Sequence, residues 1–177
     1  MSSMFEKTLL RHTVFLGKIL KLRVDDVELP NGHQSEREVV EHPGAVGVVA
    51  LDKEGKLVLV RQYRYPVEDV LLEIPAGKID DREEPLLCAK RELLEETGWE
   101  AENWEKIGDY YSSPGFTNER LHLYKADVTN YLGQQNDEDE HTEVVVVSVD
   151  EAVDMIRQFK IKDGKSIIGI LTLKLLN

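Results

Sequence analysis

Two stretches of the chain are almost wholly apolar, AVGVVAL from Ala45 to Leu51 and EVVVVSV from Glu143 to Val149. Short apolar runs rich in β-branched residues predict buried strands. After AVGVVAL, the polar stretch DKEGK predicts a hairpin turn, and LVLVRQYRY predicts its return strand. LLEIPAG predicts a further short strand ending at Pro75-Ala76-Gly77. Upstream, the loose alternation from Lys7 to Gly32 predicts two or three short strands with a turn at Pro30-Asn31-Gly32. SEREVVEHP adds another strand that stops at Pro43-Gly44. Strands are also predicted around WEKIGDYYSS and RLHLYKADV, separated by the loop PGFTNE.

The period changes at Pro85. Leu86, Ala89 and Leu93 recur on one side of a helix predicted from Pro85 to Thr97. Pro85 suits the first helical position, the acids from Asp80 to Glu84 suit the N-terminal dipole, and Gly98 suits the C-terminal stop. VDEAVDMIRQF and KSIIGILTLKLL predict two closing helices. Many strands with three interspersed helices predict a layered α/β (α+β) domain. Residues 1–43 carry little core material and read as a β-rich arm; residues 44–177 read as the main domain.

Composition narrows the function. The chain has 177 residues and a formal charge of −12. That charge weighs against nucleic acid or an anionic membrane as the main partner, since both call for basic patches. No apolar run reaches the roughly 18–20 residues of a membrane span, and the N-terminus lacks a signal-peptide core. The single cysteine, Cys88, has no internal disulfide partner. A reducing, cytoplasmic location is the expectation, and on the predicted helix Cys88 reads as a small buried filler. His42, His122 and His141 show no metal-ligand spacing, and Trp104, Tyr110 and Tyr111 read as packing residues.

The acidic excess is clustered. On a helix, Glu92, Glu95 and Glu96 fall within one sector of roughly 100°. Like charges three and four residues apart destabilise a helix. The spacing alone fits either a solvated acidic face or a site for a hard divalent cation such as Mg²⁺ or Mn²⁺.

The wider frame favours the second. From Gly77 to Trp99 the chain follows G-x5-E-x7-R-E-U-x-E-E-x-G-U, where U is a bulky apolar residue. The fixed positions are Gly77, Glu83, Arg91, Glu92, Leu93, Glu95, Glu96, Gly98 and Trp99. This pattern resembles the Nudix box of the Nudix hydrolases. Trp99 departs from it, standing where the family usually has an aliphatic residue, which bears on packing more than on chemistry. The resemblance implies an α/β/α Nudix sandwich with a mixed sheet, and hydrolysis of a nucleoside diphosphate linked to another group. By the same resemblance, Glu92 and Glu96 are the main metal ligands and Glu95 shares the metal or orients water. Arg91 holds these carboxylates, Glu83 braces the loop by pairing with Arg91, Gly77 permits a close turn, and the Ala76 carbonyl reaches a metal.

Outside the box, SSPGFTNE with Pro114, VRQYRYP, LEIPAGKID and EHPGAV resemble the ADP-ribose pyrophosphatase subfamily. The similarity runs from about residue 37 to the C-terminus. It implies Mg²⁺-dependent cleavage of ADP-ribose to AMP and ribose 5-phosphate, with Mn²⁺ as a substitute. Pro114, Gly115 and Phe116 form a binding loop, Arg61 and Arg64 contact phosphates or a terminal ribose, and Glu73 contacts the substrate more weakly. In NDEDEHTEV, Glu140, or else Glu138, supplies the general base or completes the metal shell. The N-terminal arm enters a homodimer and contributes to the partner's site. Two other readings stand beside this one. One is a Nudix pyrophosphatase for another nucleotide sugar or a dinucleotide. The other is a non-catalytic nucleotide-sensing module, against which the intact glutamates argue.

Overall fold

The structure is a computed structural model, and it describes residues 4–135 and 141–176. The chain forms two compact units, residues 1–44 with 111–120, and residues 45–110 with 121–177.

The first unit is a three-stranded antiparallel sheet in the order β1 (Lys7–Leu16), β2 (Lys21–Glu28), β3 (Gln34–Glu41). Where alternation predicted two or three short strands before residue 32, there are two, of ten and eight residues. β1 is exposed along its whole length, and two bulges shift its register against β2. β2 carries the buried residues Asp25 and Val27. Asp25 accepts from Arg23 Nε at 2.9 and 3.0 Å, and Arg23 also pairs with Glu41 of β3.

The second unit holds a seven-stranded mixed sheet. Its main path is β10 (Thr142–Val147), β5 (Leu57–Arg64), β4 (Ala45–Leu51), β9 (Arg120–Tyr131), β8 (Trp99–Tyr111). β4 and β9 run parallel; β5 is antiparallel to β4, β10 and β6 (Asp69–Glu73). The stretch LLEIPAG makes two strands rather than one. β6 pairs with β5, and β7 (Ala76–Lys78) crosses to pair with β4. Pro75 lacks an N–H for a ladder, and its carbonyl instead accepts from Val48 N–H at 2.8 Å. β4 therefore forks, with Ala45–Gly47 on β7 and Ala50–Leu51 on β5.

Period-2 alternation gives the sheet two apolar faces. Val46, Val48, Ala50 and Val58 face Cys88, Ala89 and Leu93 of α1 (Pro85–Thr97). Val49, Leu57 and Leu59 face Ala152 of α2 (Val149–Arg157), and Ile170 and Leu173 of α3 (Gly164–Leu176). The result is a sheet between helical layers. α1 has the bounds its sequence dictates: Glu84 caps the N-terminus by accepting from Leu86 N–H, and Gly98 ends it with φ 74°. α2 opens on a capping box between Ser148 and Glu151. Among the described residues no helix is long and apolar enough to cross a membrane.

Candidate active site

The fork in β4 places β7 beside α1, and the box residues meet there. Gly77 is required by close approach: a Cβ at that position would overlap the carboxylate of Glu92. Glu92 and Glu96 are buried on the inner side of α1, Glu96 to 2% exposure. Glu96 Oε2 accepts from the Ala76 N–H at 2.9 Å. Glu95, one position round the helix, is partly exposed.

Arg91 ties the cluster together. Its Nη1 donates to Glu92 Oε1 at 2.8 Å and Glu95 Oε2 at 2.9 Å, while Nε and Nη2 grip Glu83 at 3.0 and 2.9 Å. A planar guanidinium presents its N–H donors in a rigid fork, which lets one side chain span three carboxylates. The Arg91 bond holds the Glu83 carboxyl well below the usual range, at about 2. In return Glu83 pushes the Arg91 pKa up. Glu83 also accepts from Asp80 N–H at 3.1 Å, which fixes the loop before α1. Cys88 lies beside this cluster, with Arg91 Nη2 at 3.4 Å from its Sγ; burial pushes the thiol pKa up.

Among the described residues no three acidic, histidine or cysteine side chains are grouped as the ligands of an ion as they stand. The donor set nonetheless suits a hard divalent cation. Glu92 and Glu96 are buried one turn apart on the same helix, and adjacent carboxylates supply the oxygen ligands that such an ion prefers. With no Cβ at position 77, the Glu92 carboxylate packs against the β7 backbone, beside the Ala76 N–H that holds Glu96.

A second charged cluster lies at the end of β6. Arg64 grips Glu73 through Nε and Nη2 at 2.8 and 2.9 Å. Lys165 also pairs with Glu73, and with Asp163 at 3.0 Å. Burial raises the Glu73 pKa, but the two cations outweigh it and the net shift is downward. The bond to Glu73 raises Arg64 in turn. Ser166 Oγ accepts from Ile74 N–H at 2.8 Å and donates to Asp163 at 2.6 Å. This anchors the segment that continues through Pro75 to Ala76. Arg64 and Glu73, each singled out as a substrate contact, thus bond each other. Arg61 bonds Glu143 at 2.7 Å near the surface. Sequence reasoning missed Lys165, Asp163 and Ser166. DGKS shows a polar opening to a helix, but nothing in it names Glu73 as the partner.

Pro114, Gly115 and Phe116 belong to the first unit. Their turn is closed by Phe116 and Thr117 N–H groups donating to the Ser113 carbonyl, each at 3.2 Å. The Phe116 carbonyl accepts from Val40 N–H at 2.8 Å, and the Phe116 ring is exposed. Glu138 and Glu140 lie outside the described residues.

With this geometry in place, comparison with known proteins defines the class. The chain matches the NUDIX domain over residues 41–167 and the nucleoside diphosphate sugar hydrolase N-terminal domain over residues 6–40. It belongs to the NUDIX family. It is 44% identical to an ADP-ribose pyrophosphatase of Bacillus subtilis, over 99% of this chain and 96% of that protein. It is also 46% identical to a methanol dehydrogenase activator of Bacillus methanolicus, over 96% and 93% of the two. The fold matches a crystal structure of an ADP compounds hydrolase with TM-score 0.85 and 21% identity, covering 97% of this chain and 93% of that one.

Proposed function

We propose that the protein is a Mg²⁺-dependent ADP-ribose pyrophosphatase, with Mn²⁺ as a substitute. Water adds across the P–O–P bridge, one phosphorus gaining the hydroxyl and the leaving phosphate the proton, to give AMP and ribose 5-phosphate. The observation that carries the chemistry is the buried Glu92–Glu96 pair facing Gly77 and the Ala76 N–H. The full-length similarity to an ADP-ribose pyrophosphatase supports the substrate. A second relative of almost equal identity bears a different activity in its name, so the substrate has to be measured.

Glu92 and Glu96 hold the metal, with Glu95 and the Ala76 carbonyl as further donors. When bound there, a divalent cation would supply neutralisation of pyrophosphate charge and a lowered pKa for water. Arg91, fixed by Glu83, keeps the Glu92 and Glu95 carboxylates in register. Arg64 and Arg61 present cations to the diphosphate. Glu73, held by Arg64 and Lys165, sets the direction of the Arg64 fork. Pro114, Gly115 and Phe116 form a substrate loop, and Glu140, or else Glu138, is the base.

The test is a panel of ADP-ribose, a GDP-sugar and a dinucleotide assayed with Mg²⁺, alongside Glu96→Gln. ADP-ribose gives the highest kcat/KM, and Glu96→Gln lowers kcat by about two orders of magnitude or more. Preference for another compound overturns the substrate, and wild-type turnover in Glu96→Gln overturns the metal site. Comparing Glu140→Gln with Glu138→Gln assigns the base.

We also propose a homodimer formed through the N-terminal sheet. β1 exposes Leu10, Val14, Phe15 and Leu16, and a three-stranded sheet with one bare apolar strand gains from a cover. Light scattering should give twice the chain mass, and Val14→Lys with Phe15→Glu should give the monomer. A monomeric wild type refutes this.

A further inference from the structure

The last turn of α1 is electrostatically the wrong place for carboxylates. A helix C-terminus carries partial negative charge. Glu95 and Glu96 sit there, and no basic residue lies in that turn. Its backbone carbonyls also need donors that the helix itself does not supply. The donors come from elsewhere in the same compact unit. Gln135 N–H donates to the Glu95 carbonyl at 3.0 Å, and Leu132 N–H to the Gly98 carbonyl at 2.8 Å. The Glu96 carbonyl receives two bonds, from Gln134 Nε2 at 2.6 Å and Thr142 Oγ1 at 3.0 Å. Gln134 Nε2 also reaches Thr142 Oγ1 at 3.2 Å, so the two side chains act as a pair.

Gly98 makes the approach possible. It takes φ 74°, and a Cβ there would meet the Gly133 carbonyl carbon at 2.6 Å and the Gln134 nitrogen at 2.7 Å. The box glycine therefore both ends the helix and admits the segment that caps it.

We propose that Gln134 and Thr142 are positioning residues for the divalent-ion site, acting from outside the signature through the Glu96 backbone. They fix the last turn, so the Glu96 carboxylate stays on Ala76 and Glu95 stays on Arg91. The inference rests on the metal-site reading above.

Mn²⁺ affinity of the substrate-free protein, read from the EPR signal of free Mn²⁺, tests it without turnover. Gln134→Ala with Thr142→Val weakens Mn²⁺ binding about tenfold, as expected from losing two hydrogen bonds to one carbonyl. It raises the metal concentration for half-maximal turnover by the same factor and leaves KM for ADP-ribose at saturating metal unchanged. Thr142→Ser, which keeps the hydroxyl, binds Mn²⁺ like wild type. If the double variant fails to fold, Thr142→Val against Thr142→Ser carries the same comparison, with a smaller weakening expected. Wild-type Mn²⁺ affinity in the variant that lacks the hydroxyl, whatever happens to the melting temperature, reduces the pair to an ordinary cap and overturns the proposal. Intact Mn²⁺ binding in Glu96→Gln would instead overturn the metal-site reading itself.

Discussion

Replacing Glu83 by Gln isolates the brace that holds Arg91. In the folded protein the Glu83 carboxyl falls from 4.5 to about 2, chiefly through its bond to Arg91. At about 1.4 kcal/mol per pKa unit, that shift corresponds to about 3 kcal/mol at full strength. Arg91 is about one-third exposed, and solvent screening reduces the effect to about 1–2 kcal/mol. The folded pKa lies below the unfolded one, so the stabilisation is complete above pH about 4.5 and is lost as pH falls toward about 2. Urea unfolding with EDTA present, followed by tryptophan fluorescence, measures it. Both tryptophans, Trp99 and Trp104, pack against the core that contains α1. At pH 7 the variant should be less stable by about 1–2 kcal/mol, and the two proteins should converge as pH drops from 5 toward 3. A difference below about 0.5 kcal/mol at pH 7, or one that does not shrink with acid, refutes the assignment of Arg91 as the cause.

Two further substitutions probe the same unit. Gly77→Ala puts a methyl where the Glu92 carboxylate lies; metal-dependent turnover should fall at least about tenfold with α-helical circular dichroism retained, and near-normal turnover would show that Glu92 can move aside without consequence. Ser166→Ala leaves the buried Ile74 N–H without its acceptor, so stability should fall by about 1–3 kcal/mol in urea titration, whereas a change under about 0.5 would mean that water replaces the hydroxyl.

The legible part of the site was what one helix carries. Proline at the first position, glycine after the last and the Leu86–Ala89–Leu93 stripe are local signals, and α1 has the bounds they set. The glutamate spacing is equally local, so the gathering of Glu92 and Glu95 on Arg91 lies within the reach of one helix, whereas the bond of Glu96 to the Ala76 N–H comes from another element. The fork of β4 could not be read without coordinates. Whether IPAG continues one strand or starts another depends on which neighbour offers a free edge, and β4 offers one only where β5 leaves it. The partners of charged residues were hidden for the same reason. Lys165 reaches Glu73 across 92 positions of sequence, and no pattern in either segment points to the other. Thr142 and Gln134 carry no such signal either, because their acceptor is a backbone carbonyl, which leaves no mark on sequence.

The lone cysteine has a practical consequence. Cys88 is fully buried on the inner face of α1, its Sγ touching the Lys78 carbonyl and Arg91. Burial disfavours its thiolate, the form that alkylating reagents attack. With no other thiol in the chain, modification registers only when α1 lifts from the sheet. The native protein thus carries an internal clock, and its labelling rate, with and without metal or nucleotide, times the opening of the helix that bears the carboxylates.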